Sequence, residues 1–158
     1  MLNAVIIEDE RPALESLVNA ISSIADDIQI TARLGSVRES IEYLSQKPAV
    51  DLIFSDVQLS DGLSFEIFGQ GNVPTPVIFI TGYDEFMMNA FEYNGIDYLL
   101  KPVDKEDLRK ALTKYRMLEK HFTDHHSLKS LLQYVGARKK ERMIVKKGME
   151  NISLRMDD

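Results

Sequence analysis

Short runs of apolar residues alternate along the chain with segments in which apolar residues recur every three or four positions. Five runs have the length and composition of buried β-strands, and they occupy residues 3–7, 28–32, 50–55, 76–80 and 96–100. Helical spacing follows each run, near residues 12–21, 36–44, 65–68, 84–93 and 104–118. Strands that alternate with helices form crossover units, so we predict a doubly wound α/β fold of flavodoxin-like type with a five-stranded parallel sheet.

Local signals mark the ends of the predicted helices. Pro12 suits a first helical turn, and Ser36 and Asp104 can each cap a helix N-terminus. The Asn94-Gly95 pair is typical of a helix C-terminus, and Asp61-Gly62 predicts a turn. These capping and turn residues lie between the apolar runs, which supports five strand–helix units.

Four of the predicted strands end in polar side chains that could take part in phosphoryl chemistry. Glu8 and Asp9 follow the first strand, and Asp56 follows the third. Thr81 follows the fourth strand, and Lys101 follows the fifth. Because ligands bind outside the carboxyl ends of strands in an open parallel sheet, we expect these side chains to converge on one site.

The residue types at these strand ends suit a magnesium ion and a phosphoryl group. Three carboxylates, those of Glu8, Asp9 and Asp56, offer the oxygen ligands that Mg²⁺ prefers. By residue type alone, Asp56 could serve as a metal ligand, a general base or a nucleophile that forms an acyl phosphate. Phosphoryl transfer needs positioning and charge neutralisation, for which Lys101 offers an ammonium and Thr81 a hydroxyl.

Charge divides the chain into two parts. Residues 1–122 contain 11 basic and 20 acidic residues, a net charge of −9, whereas residues 123–158 have a net charge of +3. A change of this kind often separates modules, and the acidic part is a poor surface for nucleic acid. The chain has no cysteine, which excludes disulfides and thiolate metal sites. Without an apolar run of about 20 residues or a visible secretory signal, we predict a cytoplasmic protein with no membrane partner.

Four segments together resemble the receiver domain of two-component response regulators. They are Ile-Ile-Glu-Asp-Glu at 6–10, Leu-Ile-Phe-Ser-Asp at 52–56, Phe-Ile-Thr-Gly at 79–82, and Asp-Tyr-Leu-Leu-Lys-Pro at 97–102. The resemblance implies that Asp56 accepts a phosphoryl group from a sensor histidine kinase. It also implies a Mg²⁺ ion held by Glu8, Asp9, Asp56 and the backbone carbonyl of Gln58. Such a protein is a phosphoacceptor switch rather than an enzyme, with at most self-catalysed phosphorylation and dephosphorylation.

The same resemblance implies how the switch operates. The hydroxyl of Thr81 would move toward the phosphoryl group, and the ring of Tyr98 would turn inward behind it. The face formed by residues 84–118 would then repack and form a homodimer. The Lys101–Pro102 peptide bond would be cis, as it often is in receivers. Two residues depart from the commoner pattern, since Glu8 stands where Asp is usual and Ser60 where Pro is frequent.

The last part of the chain resembles a different module. Residues 141–152, beginning Glu-Arg-Met-Ile-Val-Lys-Lys-Gly, look like the opening of a LytTR-type DNA-binding domain of LytR/AlgR-like regulators. We therefore expect a receiver domain at 1–122, a linker at 123–140, and the start of a truncated DNA-binding domain at 141–158. The intact protein would then be a transcriptional regulator that contacts DNA through its missing C-terminal domain and not through this fragment.

Two alternative functions use the same residues. A degenerate receiver would act as an unphosphorylated docking module, although intact Asp56 and Lys101 argue against it. An aspartyl-phosphate phosphatase of the haloacid dehalogenase kind usually has a second Asp two residues after the nucleophile, where this chain has Gln58. A nucleotide-binding flavodoxin-like protein is disfavoured because no glycine-rich loop follows the first strand.

Overall fold

The computed structural model of the chain describes residues 1–69 and 73–122. Its main sheet has five parallel strands, which are β1 (Leu2–Ile7), β2 (Ile28–Leu34), β3 (Leu52–Ser55), β6 (Val77–Thr81) and β7 (Gly95–Leu100). A small antiparallel hairpin lies between β3 and the next helix and consists of β4 (Gln58–Leu59) and β5 (Gly62–Leu63). The predicted linker at 123–140 and the predicted start of a DNA-binding domain at 141–158 lie outside the described residues.

Helices connect the parallel strands. They are α1 (Arg11–Ile24), α2 (Val37–Ser45), α3 (Phe65–Phe68), α4 (Met87–Ala90) and α5 (Lys105–Phe122), and a short 3-10 turn (Asp84–Phe86) precedes α4. The strand order β2-β1-β3-β6-β7 and the uniformly parallel pairing confirm the predicted five-stranded sheet of flavodoxin-like type. The order reverses between β1 and β3, and the crevice at that point is where open sheets of this kind bind ligands.

Helices cover both faces of the sheet, and the central strands β3 and β6 are buried at every position. In β1, Ala4 and Ile6 pack on one face with side chains of α1 and α5. Val5 and Ile7 point to the other face and pack with side chains of α2, α3 and α4. All four side chains have no exposed surface. The double cover explains the continuous apolar runs and fixes β1 rigidly below its carboxyl end.

The predicted helix caps are present. The hydroxyl of Ser36 accepts a hydrogen bond from the Glu39 N–H at 3.0 Å at the start of α2. Asp104 Oδ1 accepts one from the Glu106 N–H at 2.9 Å at the start of α5. Pro12 occupies the first turn of α1. None of the helices in the described part of the chain is both long and apolar enough to span a membrane.

The fourth helix is shorter than the sequence predicts. Helical spacing predicts one helix over 84–93, but the structure has a 3-10 turn and a single α-helical turn that ends at Ala90. The N–H groups of Glu92 and Tyr93 donate to carbonyls three residues back, which is turn geometry rather than α-helix. Asn94 then adopts a φ of 69° and leads directly into β7, so the chain leaves the helix early.

Candidate functional site

Three carboxylates meet at the carboxyl ends of β1 and β3. One oxygen each from Glu8, Asp9 and Asp56 lies within 4.8 Å of the other two. The Glu8 N–H donates to the Leu34 carbonyl oxygen and the Asp56 N–H to the Ile7 carbonyl oxygen, each at 2.9 Å, so the sheet itself fixes these positions. Glu8 and Asp56 are each 7% exposed, whereas Asp9 is exposed. The structure therefore brings the predicted acidic residues together as one acidic cluster.

Lys101 reaches this acidic cluster from β7. Its Nζ donates to Glu8 Oε1 at 2.7 Å and to Asp56 Oδ2 at 2.8 Å. The Lys101 N–H donates to the Thr81 carbonyl oxygen at 2.8 Å, which ties the end of β7 to the end of β6. The Lys101–Pro102 peptide bond is cis, as the family resemblance implies.

The electrostatics of the acidic cluster favour an additional cation. Burial raises the pKa of Glu8, and the negative charge of Asp56 raises it further, although the hydrogen bond from Lys101 opposes both. Burial alone would lower the pKa of Lys101, but its hydrogen bonds to Asp56 and Glu8 raise it. Because the site contains three carboxylates and one ammonium, it has an excess of negative charge. A divalent cation that prefers oxygen ligands fits such a site.

A hydroxyl and a phenol lie on β6, which pairs with β3, and on β7, which pairs with β6. The hydroxyl of Thr81, at the end of β6, is fully buried and has no hydrogen-bond partner within the described residues. Tyr98 packs among the side chains on the α2–α3–α4 face, and its hydroxyl donates to the backbone carbonyl of Tyr83. Burial, together with the charge of Asp84, raises the pKa of Tyr98, so its phenol stays protonated.

An open cleft of about 520 Å³ lies above the acidic cluster. The residues lining this cleft are Asp9, Glu10, Asp56, Gln58, Leu59, Ser60, Gly82, Tyr83 and Lys101. Gln58 belongs to the β4–β5 hairpin, and its N–H also approaches Asp56 Oδ1 at 3.4 Å. Gln58 therefore lies at the edge of the site, and the role of its backbone carbonyl as a metal ligand stays a prediction.

One residue near the site has a contact that sequence reasoning missed. The Asp61-Gly62 pair predicts a turn, but the Asp61 carboxylate also accepts hydrogen bonds from the Val37 N–H at 2.8 Å and the Arg38 N–H at 3.0 Å. These bonds lower the pKa of Asp61. Capping signals are read from neighbours along the chain, whereas this cap comes from 24 residues away, so no local pattern could reveal it.

Comparison with known proteins identifies relatives of this chain. Residues 4–113 match the family model of the response regulator receiver domain. An uncharacterized response regulatory protein of Vibrio cholerae is 35% identical over 130 residues, which are 80% of this chain and 53% of that protein. The sensory transduction protein LytT of Bacillus cereus is 33% identical over 119 residues, which are 73% of this chain and 48% of that protein. The chain therefore spans about half the length of the curated relatives it matches.

A solved structure agrees with this assignment. The response regulatory domain of protein mrkE from Klebsiella pneumoniae superposes with a TM-score of 0.66 at 28% identity, over 76% of this chain and 99% of that one. The family model, which matches residues 4–113, includes the acidic cluster and Lys101. The chain therefore belongs to the response regulator receiver domain family, and its curated relatives include proteins named LytT.

Proposed function

We propose that this chain is a phosphorylation switch of a two-component signalling system, in which Asp56 accepts a phosphoryl group from a sensor histidine kinase. The observation that carries the proposal is the meeting of Glu8, Asp9, Asp56 and Lys101 at the topological switch point of the sheet. A buried carboxylate beside one ammonium and two further acids matches the needs of phosphoryl transfer, which are in-line positioning and charge neutralisation.

Mg²⁺ is the cofactor that the donor set fits best. Glu8, Asp9, Asp56 and the backbone carbonyl of Gln58 would hold it, and the cleft leaves space for phosphoryl oxygens and water. When bound, the ion would neutralise charge on the phosphoryl oxygens. The exposed position of Asp9 makes this carboxylate accessible from the cleft without any rearrangement of the sheet.

The protein's own groups prepare Asp56 for transfer. Asp56 Oδ1 accepts the Val57 N–H at 2.6 Å, and Oδ2 accepts Lys101 Nζ, so the carboxylate is held in one orientation. In the proposed reaction a carboxylate oxygen forms a bond to phosphorus while the phosphorus–nitrogen bond of the phosphohistidine breaks. The electron pair returns to the imidazole nitrogen, which takes up a proton. Lys101 supplies positive charge beside the new acyl phosphate.

The unpartnered hydroxyl of Thr81 supports a switching role. A phosphoryl group on Asp56 adds acceptor oxygens, and a buried donor without a partner gains free energy by reaching one. Tyr98 is the second switch residue, since it lies on the neighbouring strand and is bonded to the loop that follows Thr81. Phosphorylation would thereby shift a two-state equilibrium of the α4–β7–α5 face, residues 84–118.

The response of this face is proposed to be homodimerisation. Its helix α5 carries the exposed Lys110, and the 3-10 turn before α4 carries the exposed Asp84 and Glu85, so two copies could pair opposite charges. Output would come through a LytTR-type DNA-binding domain that begins near residue 141 and continues beyond this chain. The similarity to LytT proteins and the basic residues of 123–158 support that output. The cytoplasmic location and the absence of true enzymatic turnover stay predictions.

One experiment tests the phosphoacceptor. The chain is incubated with acetyl phosphate and Mg²⁺, or with beryllofluoride and Mg²⁺, and followed by intact mass and by size-exclusion chromatography. We expect a single phosphoryl adduct and a shift toward dimer, both lost in Asp56→Asn and both kept in Glu10→Gln. Glu10 is the matched control because it lines the cleft but lies outside the acidic cluster.

Two other results would overturn the proposal. Repeated turnover of phosphate esters would identify a phosphatase with an aspartyl nucleophile. A wild-type chain that forms no adduct and does not change its association state would instead be a docking module.

A further inference from the structure

The loop that follows Asp56 is tied to a helix outside the acidic cluster. This 57–64 loop leaves β3, forms the β4–β5 hairpin and returns to its start, where the Ser64 N–H donates to the Val57 carbonyl oxygen at 2.8 Å. Near its tip, the carboxylate of Asp61 binds the first two N–H groups of α2, one with each oxygen. A single side chain therefore joins the loop to the N-terminus of α2.

Helix α2 also has caps of its own. The Ser36 hydroxyl accepts from the Glu39 N–H, and the Glu39 carboxylate accepts from the Gly35 N–H at 2.7 Å. The positive end of the helix dipole further favours a carboxylate at the position of Asp61. Both Ser36 and Asp61 cap α2. Ser36 directly precedes the helix, whereas Asp61 belongs to the 57–64 loop and therefore connects that loop to the helix.

The other side of the loop tip is fixed as well. Gly62 has a φ of 143°, a conformation that residues with a Cβ rarely adopt. A Cβ at Gly62 would also lie 2.5 Å from Glu66 Oε2, the same oxygen that accepts the Leu63 N–H at 3.2 Å. The tip is thus held between α2 on one side and the first turn of α3 on the other.

Helix α2 is itself placed relative to the acidic cluster. The last residue of β2, Leu34, accepts the Glu8 N–H, and α2 begins three residues later at Val37. Gln58 lies in the same hairpin as Asp61 and lines the cleft. Gln58 and Glu8 are therefore connected through α2 and the Asp61 contact as well as through β3.

We propose that Asp61 is a positioning residue, which holds the 57–64 loop against α2 so that Gln58 completes the Mg²⁺ ligands beside Asp56. This inference rests on the proposed function, since it assigns Asp61 a part in the same site. Asp61 touches neither the metal position nor the phosphoryl group, so it acts only through the loop. Groups that orient metal ligands from outside the ligand set typically change metal affinity by about 10- to 100-fold when removed.

The test compares two caps of the same helix. Mg²⁺ affinity of the full chain is measured by titration calorimetry for Asp61→Ala, Asp61→Asn and the matched control Ser36→Ala, and urea unfolding reports stability in each. We expect Asp61→Ala to weaken Mg²⁺ binding about tenfold and to speed amide hydrogen exchange in the 57–64 loop. Asp61→Asn, which keeps one acceptor oxygen, should recover part of the affinity. Ser36→Ala should bind Mg²⁺ within about twofold of wild type even where its stability falls.

The possible outcomes distinguish failure of this inference from failure of the proposed function. If wild type binds Mg²⁺ and Asp61→Ala binds it equally well, the inference is overturned and the proposed function stands. Equal weakening in Ser36→Ala would also overturn the inference, because general loosening of α2 would then explain the loss. If wild type binds no Mg²⁺, the proposed function fails and the inference fails with it.

Discussion

The buried hydroxyl of Thr81 gives a prediction at the scale of one residue. In the described structure this hydroxyl has no partner, and an unsatisfied buried polar group costs about 1–3 kcal/mol. Thr81→Val keeps the shape of the side chain and removes the hydroxyl, so we expect the free energy of unfolding of the unphosphorylated chain to rise by about 1 kcal/mol. Urea unfolding measures this change.

The same substitution should impair switching. Thr81→Val should reduce the beryllofluoride-induced shift toward dimer, because the variant has no donor for the new acceptor oxygens. Thr81→Ser is the control, since it keeps the hydroxyl and loses a methyl group; it should be less stable and still switch. The prediction is contradicted if Thr81→Val is less stable than wild type or dimerises like wild type. The hydroxyl would then not be an unpartnered group that binds a phosphoryl oxygen after phosphorylation.

Individual site residues differ in how far the sequence reveals them. Asp56 and Lys101 could be predicted because each directly follows an apolar run, and parallel strands align their carboxyl ends. Thr81 could be placed at a strand end in the same way, but only the structure shows that its hydroxyl is buried without a partner among the described residues. The contact of Asp61 with α2 could not be predicted, since it joins residues 24 positions apart and no repeating pattern in the sequence signals it.

At the scale of elements, predictability follows the strength of the pattern. The central strands were predictable because residues buried on both sides read as continuous apolar runs. The β4–β5 hairpin has two residues in each strand, too few to show alternation. Apolar spacing over 84–93 predicts a longer α4, but the turn into β7 at Asn94 overrides that helical preference. Local patterns therefore located the elements, and tertiary connections set their ends.

A substitution at Gly95 tests how tightly the end of α4 packs against the start of β7. An added Cβ there would lie 2.5 Å from the Ala90 carbonyl oxygen and 3.1 Å from the Phe79 ring, and neither the backbone nor the buried ring can move freely. We expect Gly95→Ala to lower the free energy of unfolding by about 1–3 kcal/mol through overpacking. Gly35→Ala is the control, because its nearest neighbour would be a flexible Glu39 oxygen at 3.8 Å. Equal unfolding midpoints for the two variants in urea would show that α4 can withdraw from β7 at little cost.

At the scale of the whole molecule, the sheet order separates two surfaces. Strands β2 and β7 form opposite edges of the sheet. Helix α5 approaches the start of β2 through the Arg116–Asp27 ion pair, whereas β7 and α4 lie at the other edge. Lys114 Nζ bonds Asp97 Oδ2 at 3.1 Å, which shows that this side of α5 faces β7. Met117 lies one turn further along α5 and is 66% exposed. These features make Met117 a candidate anchor of the proposed dimer.

A charge at Met117 should therefore weaken association and leave the monomer intact. Two copies related by symmetry would bring the introduced carboxylates near one interface, where desolvation and like-charge repulsion oppose binding. For Met117→Glu with beryllofluoride and Mg²⁺, we expect the dimer dissociation constant, measured by analytical ultracentrifugation, to rise at least about tenfold, equivalent to about 1.4 kcal/mol. Gln29→Glu adds the same charge at an exposed position on the β2 edge and should dimerise like wild type. If Gln29→Glu weakens the dimer as much as Met117→Glu does, net charge rather than the α4–β7–α5 face controls association.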